Sequence, residues 1–275
     1  MPSQNSGQVL LGDCLELMRG LSPDSVDMVL TDVPYAVGFK HSNTTYNDDT
    51  DFIKGQLPLW YSEWFRLLKD NAFLMLFTGV KNLEHWIYGG KQAGFTFKNI
   101  LATRIFHSAS NRAKNNFGFN LQTVLVFAKG EGRRLNEVDA FPTSPEWLKD
   151  SRNKSRSPYT YEYPNFIEPQ VFVSTEKFGS DSKGTAFHPN AKNVDFCRFL
   201  VEVATDKGDL VLDPFAGSGA IGVAALSVGR RFLGMEIDEF WQKTASKRIS
   251  GDCTWRRGER GATQGDALEQ MDLFN

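Results

Sequence analysis

The sequence predicts an α/β fold, a doubly wound and mostly parallel sheet, on three observations. Apolar segments of strand length alternate with segments whose apolar residues recur at spacings of three and four. One of them, "AFLMLFTG" (72–79), is a continuous apolar run, as in a strand buried on both faces. A glycine-rich loop also joins an apolar strand to an alanine-rich helix in "LVLDPFAGSGAIGVAALSVG" (210–229). Helices lying between apolar strands give a sheet covered on both sides.

Taken in order, "QVLLGDC" (8–14) reads as a strand, "LELMRGL" (15–21) as a helix and "VDMVLTD" (26–32) as a second strand. "PLWYSEWFRLLKD" (58–70) has helical spacing, and the strand at 72–79 follows it. "LEHWIYGGKQAG" (83–94) reads as a helix ended by glycine. "FKNILATRIFH" (97–107) and "LQTVLVFAKG" (121–130) add two more strands. From about Gly130 to Phe187 the periodicity gives way to Pro, Ser, Asn, Tyr and charge. That stretch is too long for an ordinary loop and reads as an insertion or small subdomain. Regularity returns with a helix at 193–205, the strand–loop–helix at 210–229, a strand at 231–238 and a helix at 239–250. The polar residues after Gly251 read as a tail.

Composition excludes several classes. Hydrophobic residues at 41% and charged residues at 23% are ordinary for a globular protein. No apolar run approaches the ~18 residues of a membrane span, and residues 1–12 do not resemble a signal peptide. Cys14, Cys197 and Cys253 are too few and too far apart for a disulfide framework or a metal cluster, so no metal is expected and a reducing cytoplasm is. A net charge of −2 requires any nucleic-acid site to be a local patch.

The glycine loop carries the first functional signal. Gly217-Ser218-Gly219-Ala220-Ile221-Gly222 reads as GxGxxG at a helix N-terminus, and Glu236 ends the next strand, where a ribose-binding acid would sit. Both favour a nucleoside-containing cofactor. A dinucleotide fold would build further βα units after this one, yet only 39 residues follow Glu236 in the 275-residue chain. The remaining strands must therefore come from the N-terminal half, as in a circular permutation. Asp213, before the glycines, would oppose a pyrophosphate but suits a cation. S-Adenosylmethionine, with its ammonium and sulfonium, therefore fits better than NAD.

Asp213-Pro214-Phe215-Ala216-Gly217-Ser218-Gly219 resembles the "DPFxGSG" cofactor motif of DNA amino-methyltransferases, which act on adenine N6 or cytosine N4. "TDVPY" (31–35) resembles their "TDPPY" catalytic motif, and "HPNAKN" (188–193) their "HPTQKP" element. The catalytic motif precedes the cofactor motif, as in the permuted β group. The resemblance spans most of residues 8–250. It implies a seven-stranded-type methyltransferase sheet divided as 1–129 (catalytic half), 130–187 (target-recognition insertion), 188–250 (cofactor half) and 251–275 (tail).

The resemblance also gives residues their roles. An exocyclic amino group is a poor nucleophile because its lone pair is delocalised into the ring. Acceptors on its two hydrogens restore tetrahedral character. Asp32 would accept one hydrogen and the Val33 carbonyl the other. Pro34 would hold Val33 extended, and Tyr35 would stack on a base flipped out of the duplex. Val33 stands where the family usually has proline; the acceptor is a backbone atom, so the chemistry is expected to survive with less rigidity. Asp32 resembles the adenine members more than the cytosine ones, which more often carry Ser. Glu236 would accept from ribose hydroxyls and Asp13 would meet the cofactor's adenine amino group. Lys192 and Asn193 would lie near its methionine end, and Phe215, Gly217, Ser218 and Gly219 would line its loop. For His188 a turn role and a ligand contact stay equally open. The polar stretch at 39–52 could close over a flipped base or be a plain surface loop.

Two further segments suggest partners. "WLKDSRNKSRSPYTYEY" (147–163) sets Lys149, Arg152, Lys154 and Arg156 beside Tyr159, Tyr161 and Tyr163, a pattern suited to the phosphates and bases of double-stranded DNA. Arg104, Arg112 and Lys114 are weaker candidates. The short insertion implies a short target or loose specificity, which a homodimer would help. Gln270, Leu273 and Phe274 in "QMDLF" resemble the peptide by which bacterial replication proteins dock on the sliding clamp. Together these imply a cytoplasmic adenine-N6 DNA methyltransferase of a bacterial or phage-infected cell. Its alternatives are a cytosine-N4 enzyme, an NAD-dependent oxidoreductase built on GSGAIG, and a DNA- and clamp-binding protein inactivated at Val33.

Overall fold

A computed structural model describes residues 6–34, 49–80, 82–104, 121–136, 138, 166–167 and 192–251. Its strands are β1 (Gly7–Leu11), β2 (Val26–Asp32), β3 (Leu68–Thr78), β4 (Thr96–Arg104), β5 (Leu121–Ala128), β6 (Phe166–Ile167), β7 (Leu210–Asp213) and β8 (Arg231–Glu236). The helices are α1 (Cys14–Arg19), α2 (Thr50–Leu67), α3 (Leu83–Gln92), α4 (Val194–Ala204), α5 (Ala220–Ser227) and α6 (Glu239–Ile249). Among the described residues, all eight strands form one sheet in the order β1-β8-β7-β2-β3-β5-β4-β6. The block β1-β8-β7-β2-β3 is parallel, and β5 runs antiparallel to both β3 and β4. The mostly parallel α/β sheet expected from the sequence is present, with two-residue β6 added beside β4 at Ala102 and Thr103.

Strand alternation sorts the core into two layers. Phe73, Met75 and Phe77 of β3, with Val124, Val126 and Ala128 of β5, face α4, α5 and α6. Leu74 and Leu76, with Leu125 and Phe127, face α1, α2 and α3. Both faces of the central strands are thus apolar, which is why 72–79 reads as an unbroken run. The parallel order β7-β8-β1, with α5 and α6 between, completes a unit whose last strand comes from the other end of the chain. Gln242 of α6 fastens it, donating to the carbonyl of Val9 at 2.7 Å. This is the expected permutation in physical form.

The structure moves several boundaries. The second helix spans Thr50–Leu67 rather than 58–70, with Asp49 as N-cap accepting from Asp51 and Phe52, and Pro58 inside it. β1 stops at Leu11, and Asp13 caps α1 rather than ending the strand. The start of the predicted insertion, residues 131–136, runs back over the end of α4. There the Asn136 amide donates to the carbonyls of Glu202 (3.0 Å) and Thr205 (2.7 Å). Arg133 pairs with Asp206 and Asp209 beside it.

Candidate active site

The C-terminal edge of the parallel strands gathers four acids in a row. Asp13 follows β1, Glu236 ends β8, Asp213 ends β7 and Asp32 ends β2, and these strands are consecutive neighbours in the sheet. In an open parallel sheet this edge is where ligands bind. A row of carboxylates there repels a pyrophosphate and attracts a cation.

Asp213 is almost wholly buried, at 1% exposure. Its Oδ1 accepts from the Thr31 hydroxyl at 2.6 Å and from the Phe215 N–H at 3.2 Å. Burial outweighs those two bonds and pushes the carboxyl up to about 7, with Asp32 and Glu236 adding to the rise. Glu236 is also raised, first by burial, although its oxygens accept from the Gly217 N–H (2.8 Å) and the Asp238 N–H (2.9 Å). Asp13 Oδ1 accepts from Leu15 (2.8 Å) and Glu16 (3.2 Å) as the cap of α1.

The loop between β7 and α5 turns at Gly217 (φ 48°) and Gly219 (φ 78°). A Cβ on Gly219 would also lie 3.0 Å from the Ala245 Cβ, so α6 presses directly against the turn. Arg248 of α6, nearly buried, donates to the Ser218 carbonyl at 3.0 Å and secures the loop from behind. The Phe215 ring meets the edge of Trp60, centroids 5.1 Å apart. This aromatic contact joins the loop to α2. Neither Arg248 nor Trp60 stood out in the sequence, where each reads as an ordinary helix residue.

At the end of β2, Asp32 lies opposite Phe77 of β3. The next residue, Val33, donates its N–H to the Phe77 carbonyl at 3.2 Å and is 2% exposed. Proline could not donate that bond, so Val33 is held by the neighbouring strand instead of by a ring. The expected loss of rigidity is offset. Pro34 is buried behind it. Lys192, expected at the methionine end of a cofactor, places its Nζ 2.5 Å from Asp32 Oδ2. Asn193 caps α4, its Oδ1 accepting from Phe196 at 2.9 Å.

Asp32, Val33, Pro34, Asp213, Phe215, Gly217, Ser218, Gly219, Glu236, Asp13 and Lys192 thus converge on one edge of the sheet. Tyr35, Lys149, Arg152, Lys154, Arg156, Tyr159, Tyr161, Gln270, Leu273 and Phe274 lie outside the described residues, as does His188. No group of three or more His, Cys, Asp or Glu suited to a metal occurs among the described residues.

A family model described as DNA methylase matches residues 26–247. The chain is 28% identical over 257 residues to YubD of Escherichia coli (strain K12), covering 93% of this chain and 94% of that protein. It is 24% identical over 249 residues to the DNA adenine methyltransferase YhdJ of the same organism, covering 88% and 82%. Among solved structures, the cytosine-N4-specific PvuII DNA methyltransferase superposes with a TM-score of 0.68 at 17% identity, covering 97% of this chain and 92% of that one.

Proposed function

The chain belongs to the DNA methylase family, and we propose that it methylates adenine N6 in double-stranded DNA, using S-adenosylmethionine on a base turned out of the duplex. The observation that carries the reading is that β2, which ends at Asp32 and leads into Val33-Pro34, pairs in parallel with β7, which ends at Asp213 ahead of the glycine loop. The amino-group acceptors and the cofactor residues are one strand apart.

The site residues fit S-adenosylmethionine. Asp213 and Glu236 give negative potential for a cation, and the Gly217 and Gly219 turn lets backbone approach a nucleoside closely. Each Glu236 oxygen accepts one backbone bond and retains a lone pair for a ribose hydroxyl. Lys192 and Asn193 head α4 beside this site, and Asp13 closes it at β1. Bound S-adenosylmethionine supplies an electrophilic methyl group on a cationic sulfur. The chain prepares the nucleophile: Asp32 accepts one amino hydrogen, the Val33 carbonyl the other, and the lone pair is drawn out of ring conjugation. Tyr35 stacks on the flipped base.

Residues 130–187 contact DNA through Lys149, Arg152, Lys154, Arg156, Tyr159 and Tyr161. Gln270, Leu273 and Phe274 dock the tail on a sliding clamp. Asp32 and the likeness to YhdJ favour adenine. Cytosine N4 is the second reading, favoured by the likeness to PvuII methyltransferase.

Duplex DNA incubated with methyl-labelled S-adenosylmethionine and digested to nucleosides tests the proposal. Label on adenosine, lost in Asp32→Ala, supports it. Label on cytidine moves the assignment to N4. Bound DNA and cofactor without label would sink the enzymatic reading.

A further inference from the structure

We infer that Lys192 is a positioning residue for Asp32, holding the catalytic carboxylate ionised and in one orientation while it accepts the amino hydrogen. The inference rests on the methyltransferase reading and adds a second member to its acceptor site.

The geometry is specific. Lys192 Nζ sits 2.5 Å from Asp32 Oδ2, with the two side chains 10% and 19% exposed. The same ammonium lies 5.7 Å from the centroid of the Phe77 ring, and Phe77 is the register partner of Asp32 on β3. Phe196, in the first turn of α4, packs edge-on to Phe77 at 5.8 Å. Asn193 caps that turn through the Phe196 N–H, one residue after Lys192. Phe77 is therefore a shared platform. It carries Lys192 on its ring, receives Val33 on its carbonyl and fixes the start of α4.

The charge argument points the same way. Asp32 stands beside Asp213 of β7, which also faces Glu236 of β8. Like charges on neighbouring strands push a carboxyl towards protonation. A protonated Asp32 would present a donor to an amino group that needs an acceptor. Among the described residues, Cys197 of α4 also interacts electrostatically with Asp32, Asp213 and Lys192, and burial keeps its thiol neutral. An ammonium in direct contact counters the acids. A carboxylate has about four lone-pair sites, so one bound to Lys192 still accepts an amino N–H.

The test is single-turnover methyl transfer at saturating cofactor and DNA, followed across pH, beside calorimetric S-adenosylmethionine binding. Lys192→Met should slow the chemical step roughly tenfold to a hundredfold, the worth of a hydrogen bond to a charged group. It should also move the acid limb of the profile to higher pH, a shift that persists at saturating cofactor whatever the change in cofactor affinity. Lys192→Arg should restore most of the rate and return the acid limb. Lys192→Gln, which keeps a donor without the charge, serves if the methionine variant does not fold, and should show the same acid-limb shift. Weakened cofactor binding with an unchanged rate and acid limb at saturation would overturn the inference and make Lys192 a cofactor anchor. A wild-type protein that moves no label fails the parent reading instead. A denaturant-unfolding cycle of Asp32→Asn with Lys192→Met would still read the ion pair separately.

Discussion

Thr31 donates its hydroxyl to the buried carboxylate of Asp213 at 2.6 Å, across two strands that lie 182 residues apart in sequence. The residue before the proposed amino-group acceptor and the residue that opens the glycine loop therefore share one hydrogen bond. Changes at either end should be felt in both halves of the site.

Thr31→Val keeps the shape of the side chain and removes its donor. Asp213 then loses one of the two bonds that lower its carboxyl. Stability should fall by about 1 kcal/mol, the net worth of one hydrogen bond, since Oδ1 keeps its bond from the Phe215 N–H. Cofactor affinity at neutral pH should fall with it, as titration calorimetry would register.

The pH dependence follows from Asp213 itself. Its folded carboxyl is raised from 3.8 to about 7, so the folded state holds a proton that the unfolded state releases between those values. The resulting contribution is full below 3.8 and is lost as pH rises through about 7. Asp213→Asn should therefore flatten the pH dependence of unfolding in that window and stabilise the ligand-free protein above it. In the native protein a cationic cofactor prefers the ionised form, so its affinity should drop as pH falls below about 7.

Val33→Pro would bring the motif closer to its usual family form, yet it should not help. The Val33 N–H to Phe77 carbonyl bond disappears, and Phe77 keeps an unmet acceptor. Unfolding in denaturant should show a loss of about 1 kcal/mol. Methyl transfer should persist, because the proposed acceptor is the backbone carbonyl; a rise in both rate and stability would show that the ring lock matters more than the strand bond.

Arg248→Met should act on the glycine loop without touching the catalytic motif. The Ser218 carbonyl loses a donor at 3.0 Å inside a packed corner. Weaker cofactor binding is expected, with the rate at saturating cofactor nearly preserved. An equal loss of rate at saturation would mean that Arg248 acts on the acceptor site instead.

Legibility in the sequence followed how local each determinant is. The sequence places β2 at its observed bounds, 26–32, because a buried strand between turns announces both ends. The helical apolar spacing at 58–70 places the start of α2 eight residues late, at Pro58 instead of Thr50. The Asp49 cap, two residues before the acid at Asp51, is the signal that competed and won. The antiparallel pairing of β5 between β3 and β4 depends on how the chain turns between them, which apolar patterning does not encode. Asp32, Asp213 and Glu236 were legible as strand-end acids next to recognisable motifs. The Lys192–Asp32 pair was not, since its members are 160 residues apart and only the fold sets their distance.

The placement of β1 has a consequence for how the molecule is made. β1 and β2 follow one another in the chain but are separated in the sheet by β8 and β7. During synthesis β1 emerges long before β8, the strand it pairs with, and β2 lacks the flank that β7 covers. The gap closes only when residues 210–236 have left the ribosome and slid between them. Until then two parallel strand edges stay open, a topology that favours slow, late-closing folding and leaves those edges exposed to mispairing.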